Sequence, residues 1–174
     1  MATEAPAPPP LLNVEEVLAD EELRDLALLY FGRGGKLQTL SNVTDKQLEG
    51  VYDLGVQFYR ADKHDKAEPL FQLCCLMDTT QARFWRALAA TRQMRGNLMG
   101  ALEGYGMGLL MEPTNPNNLL DMATCLLAQG ELERAKEALR SVPDVGTGSQ
   151  HQATREKAAK LLSVLEHTHT APGR

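Results

Sequence analysis

The sequence predicts an all-α protein built from repeated helix pairs, and two observations support this prediction. Of its 174 residues, 43% are apolar but only 5% are aromatic, so the core must consist mostly of Leu, Ala, Val and Met. That composition favours helices. Apolar and small residues also recur every 34 residues through the middle of the chain, as they do in proteins built from structural repeats. We therefore expect a solenoid of three helix pairs with an N-terminal helix and a C-terminal capping helix.

Net charge, cysteine content and the distribution of apolar residues argue against several classes of protein. A net charge of −5 argues against a protein that binds the phosphate backbone of a nucleic acid. The three cysteines are odd in number and two are adjacent, which argues against a disulfide framework and for a reducing compartment. The N-terminus lacks the basic and apolar segments of a secretory signal, and no apolar run approaches the roughly 18 residues of a membrane span. We expect a cytoplasmic protein without stable membrane insertion.

The N-terminal part divides into two regions. Residues 1–12 are rich in Pro and Ala and are expected to form a disordered, extended arm. Residues 13–47 are expected to be helical, and Thr44 with Gln47 has the spacing of a capping box that starts a helix. Several apolar residues recur at helical spacing in this region. They are Val14, Val17, Leu18, Leu26 and Leu29.

Three units of 34 residues follow without insertion, over 48–81, 82–115 and 116–149. Each unit repeats the same columns of large, small and alanine positions, with a turn residue at Asp62, Gly96 and Gly130. The columns, in repeat order, are Val51, Trp85 and Leu119; Leu54, Leu88 and Met122; Gly55, Ala89 and Ala123; Ala67, Ala101 and Ala135; and Phe71, Tyr105 and Leu139. Residues 150–166 are predicted to form the capping helix, and residues 167–174 a flexible tail.

This pattern resembles the tetratricopeptide repeat. A small residue at the helix crossing allows two antiparallel helices to approach closely, and Gly at the turn allows left-handed backbone. Each unit leaves an apolar face that only the next unit can cover, so three in a row form a continuous core. The capping helix is expected because an open end would expose apolar surface.

No catalytic or metal-binding pattern stands out. The glycines at 104, 106 and 108 fall in the second helix of repeat 2, where they serve close packing or leave the helix pliable, and they lack the context of a dinucleotide-binding loop. Cys74, Cys75 and Cys125 lack metal-ligand spacing and are expected to be small buried thiols. His167 and His169 lie in the tail without further ligands. We expect no enzyme activity, cofactor or metal.

A peptide-binding groove is the remaining candidate site. In such solenoids the first helices of successive repeats line a concave surface, and residues at i, i+4 and i+7 share one helix face. An alternative is that the two tyrosines of repeat 1 only complete the core. The predicted groove residues are Tyr52, Val56 and Tyr59 in repeat 1, Arg86, Ala90 and Gln93 in repeat 2, and Leu120, Thr124 and Leu127 in repeat 3.

Several short runs carry a closer resemblance, to the class II chaperones of bacterial type III secretion, the LcrH/SycD kind. The runs are 34–40 (GGKLQTL), 51–59 (VYDLGVQFY), 66–71 (KAEPLF), 73–78 (LCCLMD), 82–85 (ARFW) and 125–130 (CLLAQG). The resemblance covers roughly residues 30 to 165. Val56 departs from the larger side chain usual at its position, so one pocket should differ in shape. Asp62, where the pattern has glycine, is a second departure.

The resemblance implies a function and partners. It implies a cytoplasmic, non-enzymatic chaperone that binds an extended segment of hydrophobic translocator proteins in the groove and keeps them soluble until export. It also implies a homodimer formed through the N-terminal helix, about residues 14–31. The dimerisation residues would be Val14, Val17, Leu18, Leu26 and Leu29. Two alternatives remain open: a general tetratricopeptide scaffold that joins folded partners, and a chaperone that also co-activates a transcription regulator.

Overall fold

The computed structural model describes residues 36–40 and 43–169, which form helix pairs with no strand among them. The helices are α1 (Leu37–Leu40), α2 (Asp45–Arg60), α3 (His64–Met77), α4 (Ala82–Met94), α5 (Leu98–Met111), α6 (Asn117–Ala128), α7 (Leu132–Ser141) and α8 (Gln152–His169), with 3₁₀ turns at Val142–Asp144 and Ser149–His151. Helices α2 to α7 form three consecutive hairpins joined by short turns. The all-α class is confirmed, whereas the arm at 1–12 and the proposed dimerisation residues lie outside the described residues.

Helix α2 begins at a capping box. The backbone N–H of Gln47 donates to Thr44 Oγ1 at 3.3 Å, and the backbone N–H of Thr44 donates to Gln47 Oε1 at 2.9 Å. Two backbone donors that no helical carbonyl can reach are thereby satisfied. The prediction of an N-cap at Thr44 is confirmed.

The turn inside each hairpin needs one residue in the left-handed region. Asp62 has φ 55°, Gly96 has φ 78° and Gly130 has φ 80°. Glycine adopts this conformation without steric cost, and aspartate is among the few other residues that tolerate it. This explains why the three positions form one column although the first is not glycine.

The repeat columns form the core. The column alanines Ala67, Ala101 and Ala135 are completely buried, and the residues four positions later are nearly so. One member departs from its column, because Leu54 is 43% exposed whereas Leu88 is 2% exposed.

The glycines of α5 allow close helix packing. A Cβ at Gly104 would lie 2.9 Å from Ala89 Cβ on α4, and a Cβ at Gly108 would lie 2.8 Å from Asn118 Oδ1 on α6. At Gly104 the neighbouring atoms include backbone of α4, so a side chain there would push α4 and α5 apart. At Gly108 the neighbouring atoms are the side chains of Asn118 and Arg86, which would have to move. The segment is helical, as predicted, and close packing explains glycines 104 and 108.

An ionic cluster joins the first two hairpins. Glu68 on α3 accepts hydrogen bonds from Arg92 Nε at 3.2 Å and from Arg95. Arg92 Nη1 also donates to the carbonyl of Gly100 at 3.2 Å. One carboxylate therefore ties α3 to α4, and one guanidinium ties α4 to α5.

Helix α8 closes the C-terminal end of the array. Its Ala158 joins a buried cluster with Leu120, Leu139 and Val142, and Arg155 Nη1 donates to the carbonyl of Gly146 at 2.6 Å. The segment between α7 and α8 is thereby held in place. Helix α8 extends to His169, the last described residue, beyond the predicted bound at residue 166. No helix in the described part of the chain is long and apolar enough to cross a membrane.

Candidate binding groove

The first helices of repeats 1 and 2 border an apolar pocket of about 200 Å³. Four residues predicted for the groove line it, together with two that were not. The lining residues are Tyr52, Val56, Tyr59, Phe71, Ala87 and Ala90. The structure therefore brings together all three predicted positions of repeat 1 and one of repeat 2.

Small residues create the space of the pocket. Ala87 and Ala90 present only methyl groups from α4. Gly55 on α2 presents none, and a Cβ there would lie 2.7 Å from Phe71 Cε1. The Phe71 ring, carried on α3, occupies the space that a larger residue at 55 would need and forms part of the pocket wall.

Aromatic contacts hold the pocket tyrosines. The Tyr52 ring lies 5.6 Å from the Phe71 ring and 5.3 Å from the Phe84 ring, centroid to centroid. The Tyr59 ring lies 5.0 Å from the His64 ring. Both tyrosines remain half-buried. Tyr52 therefore packs against core rings on one side and lines the pocket on the other.

Polar groups follow the apolar pocket on α4. Arg86 Nη2 donates to Asp121 Oδ2 on α6 at 3.3 Å, and the hydroxyl of Tyr105 donates to Gln93 Oε1 at 2.8 Å. Burial raises the pKa of Asp121, and the Arg86 guanidinium opposes that rise. Burial also raises the pKa of the Tyr105 hydroxyl, which keeps it protonated and able to donate.

The third repeat does not match the prediction at Leu120. This side chain is 4% exposed and packs in the cluster that contains Ala158 of α8, so its assignment to an open groove was wrong. The equivalent residue in repeat 1, Tyr52, lies beside Phe84 of α4 but stays half-buried and lines the pocket. Thr124 is half-buried and donates to the carbonyl of Asp121 at 2.8 Å, and Leu127 is half-buried.

Two pocket residues were missed by sequence reasoning. Phe71 stood out only as a core column, because it follows the column alanine Ala67 by four residues. Ala87 lies one position beyond Arg86, and no feature of the sequence marked it as a pocket residue. Phe71 enters the pocket from α3 of the first hairpin, and Ala87 enters it from α4 of the second.

The cysteines are buried and free, as predicted. Burial raises the pKa of Cys74 to about 11 and that of Cys75 to about 12, so both stay neutral thiols. Within the described ranges no group of three or more His, Cys, Asp or Glu side chains could hold a metal ion.

Comparisons with known proteins agree with this architecture. A family model of the tetratricopeptide repeat matches residues 95–161. Low calcium response locus protein H of Yersinia pestis is 31% identical over 162 residues, which are 88% of this chain and 96% of that protein.

Solved structures extend the similarity to the fold. A type III secretion complex from Aeromonas hydrophila matches with a TM-score of 0.78 and 31% identity, over 84% of this chain and 99% of that one. PcrH bound to the chaperone binding region of PopD matches with a TM-score of 0.70 and 30% identity, over 75% of this chain and 98% of that one. The translocator chaperone SycD of Yersinia enterocolitica, in an alternative dimer, matches with a TM-score of 0.69 and 26% identity, over 73% of this chain and 97% of that one. This chain belongs to the class II chaperones of type III secretion translocators, the LcrH/SycD kind.

Proposed function

We propose that this protein is a cytoplasmic chaperone that binds an extended segment of hydrophobic translocator proteins in its groove and keeps them soluble and competent for export. The observation that carries the proposal is the apolar pocket, lined by Tyr52, Val56, Tyr59 and Ala90. The related PcrH, crystallised with the chaperone binding region of PopD, supports it.

The geometry of the pocket suits this task. A translocator with apolar segments aggregates unless those segments are covered, and a preformed pocket accepts an apolar side chain with little ordering cost. Tyr52 is already fixed by the rings of Phe71 and Phe84. Binding through a few anchors gives a complex stable enough to protect the client and weak enough to be dismantled at export.

The proposed role is non-enzymatic and needs no cofactor. In the free state we propose a homodimer formed through the N-terminal helix, in line with the dimer described for SycD. Binding of a client and dimerisation then use different parts of the chain, so the two can be tested separately.

Co-expression tests the proposal. The protein is co-expressed with each hydrophobic protein encoded beside its gene, and the soluble complexes are captured and identified by mass spectrometry. The chaperone function predicts stoichiometric recovery of a partner that is insoluble alone. Recovery of soluble, folded partners only, with no rescue of an insoluble neighbour, would favour the general scaffold.

A pair of double variants locates the binding surface. Tyr52→Ala with Tyr59→Ala should lower client recovery at least about 10-fold, because removing two aromatic anchors costs more than 1.4 kcal/mol of binding. The matched control is Met99→Ala with Leu110→Ala, two exposed side chains on α5 that do not line the pocket. Helix content, measured by circular dichroism, should stay unchanged in both. Loss of helix content in the tyrosine variant would show instead that these rings serve the core alone.

A further inference from the structure

Two hydrogen-bonding side chains flank the pocket on helix α4. Arg86, Ala90 and Gln93 stand at i, i+4 and i+7, so they share one helix face. Ala90 lines the pocket. Seven residues at 1.5 Å each place Arg86 and Gln93 roughly 10 Å apart along the helix axis. The small residue that opens the pocket therefore lies between two polar ones.

The orientation of the Gln93 amide is fixed from below. The buried Tyr105 hydroxyl, on α5, donates to Gln93 Oε1 at 2.8 Å. Because the amide oxygen is engaged, the two N–H donors of the amide are left for another acceptor. Gln93 itself is half-buried, so part of this side chain is accessible to a ligand.

Arg86 is fixed from the side. Its Nη2 donates to Asp121 Oδ2 on α6 at 3.3 Å, and its Cγ lies 3.1 Å from the point where a Cβ at Gly108 would be. The side chain is 32% exposed. A guanidinium has five N–H donors. The Nε–H is buried and Nη2 bonds Asp121, so the donors left for a ligand are the other N–H groups of Nη1 and Nη2.

We infer that Arg86 and Gln93 donate hydrogen bonds to main-chain carbonyl groups of the client segment, on either side of the apolar side chain that enters the pocket. Tyr105 and Asp121 are positioning residues that hold these two donors. The inference rests on the proposed function and specifies how its groove recognises a backbone.

The physical reason lies in the peptide itself. An extended segment that seats an apolar anchor also brings its carbonyl groups out of water, and each carbonyl left without a donor lowers affinity. Donors fixed on both sides of the anchor replace that lost water. Hydrogen bonds to the main chain do not depend on the client's side chains. One groove could therefore hold segments of different sequence, provided that each supplies an apolar anchor.

The test measures the affinity of a fluorescent peptide, the chaperone binding region of PopD, for the full-length protein. Gln93→Glu keeps an acceptor for the Tyr105 hydroxyl and the shape of the side chain but removes both N–H donors. It should weaken binding about 3- to 10-fold, the equivalent of one hydrogen bond. Arg86→Ala should weaken binding by a similar factor. The control is Arg140→Ala, which breaks the exposed pair with Glu166 between α7 and α8 and should leave affinity unchanged.

A double-mutant cycle tests the positioning role. Tyr105→Phe keeps the ring and removes only the hydroxyl, so it should weaken binding in the wild type and have no further effect in a Gln93→Ala background. Additive effects would overturn the positioning role of Tyr105, because a purely structural loss does not depend on Gln93.

The outcomes separate this inference from the proposed function. If Gln93→Glu and Arg86→Ala bind like the wild type while Tyr52→Ala with Tyr59→Ala does not bind, the pocket stands and the carbonyl contacts are overturned. If the wild type binds neither this peptide nor any partner in the co-expression test, the proposed function fails together with the inference. Gln93→Glu changes one half-buried side chain without changing its size, so the inference stays testable even if Tyr105→Phe does not fold.

Discussion

Repeats 1 and 3 place equivalent residues in opposite surroundings. Tyr52 in repeat 1 lines the pocket, whereas Leu120, two periods later, is 4% exposed in a cluster with Ala158 of α8. The two residues occupy the same position in their helices, but Tyr52 lies beside α4 and Leu120 lies beneath α8. A repeat period therefore specifies which face of a helix a residue occupies, and the next element in the chain decides whether that face is a binding surface or core.

The residue chemistry follows this difference. Repeat 1 presents tyrosines, which combine an apolar ring with a hydroxyl and suit a half-buried surface. Repeat 3 presents Leu120 at the same position, a side chain that gains most from complete burial. Three predictions test this contrast, beginning with the largest expected effect.

Leu120→Ala should lower the free energy of unfolding by about 2 to 5 kcal/mol, because it opens a cavity in the packed cluster beneath α8. Urea denaturation measures this loss, and the captured client should still bind. Tyr52→Ala should show the reverse, with weaker binding and a smaller loss of stability. The control is Leu127→Ala, on the same helix but half-buried. Equal losses at 120 and 127 would contradict the burial of Leu120 by α8.

Alkaline pH should weaken repeat 1 more than repeat 3. Burial raises the pKa of Cys74 to about 11 and of Cys75 to about 12 from an ordinary 9.0, whereas that of Cys125 is raised less. Unfolded thiols ionise above pH 9 and folded ones do not, so their contribution is complete below pH 9 and is lost as the pH rises towards 11 to 12. The unfolding free energy should fall by roughly 2 to 4 kcal/mol between pH 8 and pH 10.5.

Cysteine variants assign that loss to a repeat. Cys74→Ala with Cys75→Ala should flatten the fall with pH, whereas Cys125→Ala should leave most of it. Burial also raises the pKa of Tyr52 and of Tyr105, so a part of the fall remains in every variant. A pH dependence that is unchanged in the Cys74–Cys75 variant would rule out these thiols as its source.

Asp62→Gly should give the smallest effect, a gain in stability below about 1 kcal/mol. It makes the first turn equal to those at Gly96 and Gly130 by removing a side chain from a left-handed residue. The gain is limited because the contact between Asp62 Oδ1 and His64 Nε2, at 3.4 Å, is lost. Thermal unfolding with Gly130→Asp as the reciprocal variant measures both directions, and a loss from Asp62→Gly would show that the His64 contact outweighs the strain.

Local chemistry was predictable from the sequence, and contacts between repeats were less so. The capping box at Thr44, the turn column and the buried alanines follow from spacing alone, because each depends on neighbours within one helix or one hairpin. Ala87 in the pocket and the pair of Arg86 with Asp121 depend on how one hairpin packs against the next, which no period in the sequence encodes. Phe71 in the pocket and the bond from Tyr105 to Gln93 lie within one hairpin, but they depend on side-chain conformations that spacing alone does not specify. These contacts therefore needed the structure.

The glycines of α5 also affect how the array comes apart. Each glycine weakens an isolated helix by about 1 kcal/mol relative to alanine, and α5 contains Gly100, Gly104, Gly106 and Gly108. Gly104 and Gly108 lower the helix propensity of α5, but they allow it to pack closely against α4 and α6. The helix least able to persist alone therefore stands at the middle of the array and depends on both neighbours. Because α5 is stabilised by contacts with both neighbours, we expect the two ends of the array to unfold together in a single cooperative transition rather than one after the other.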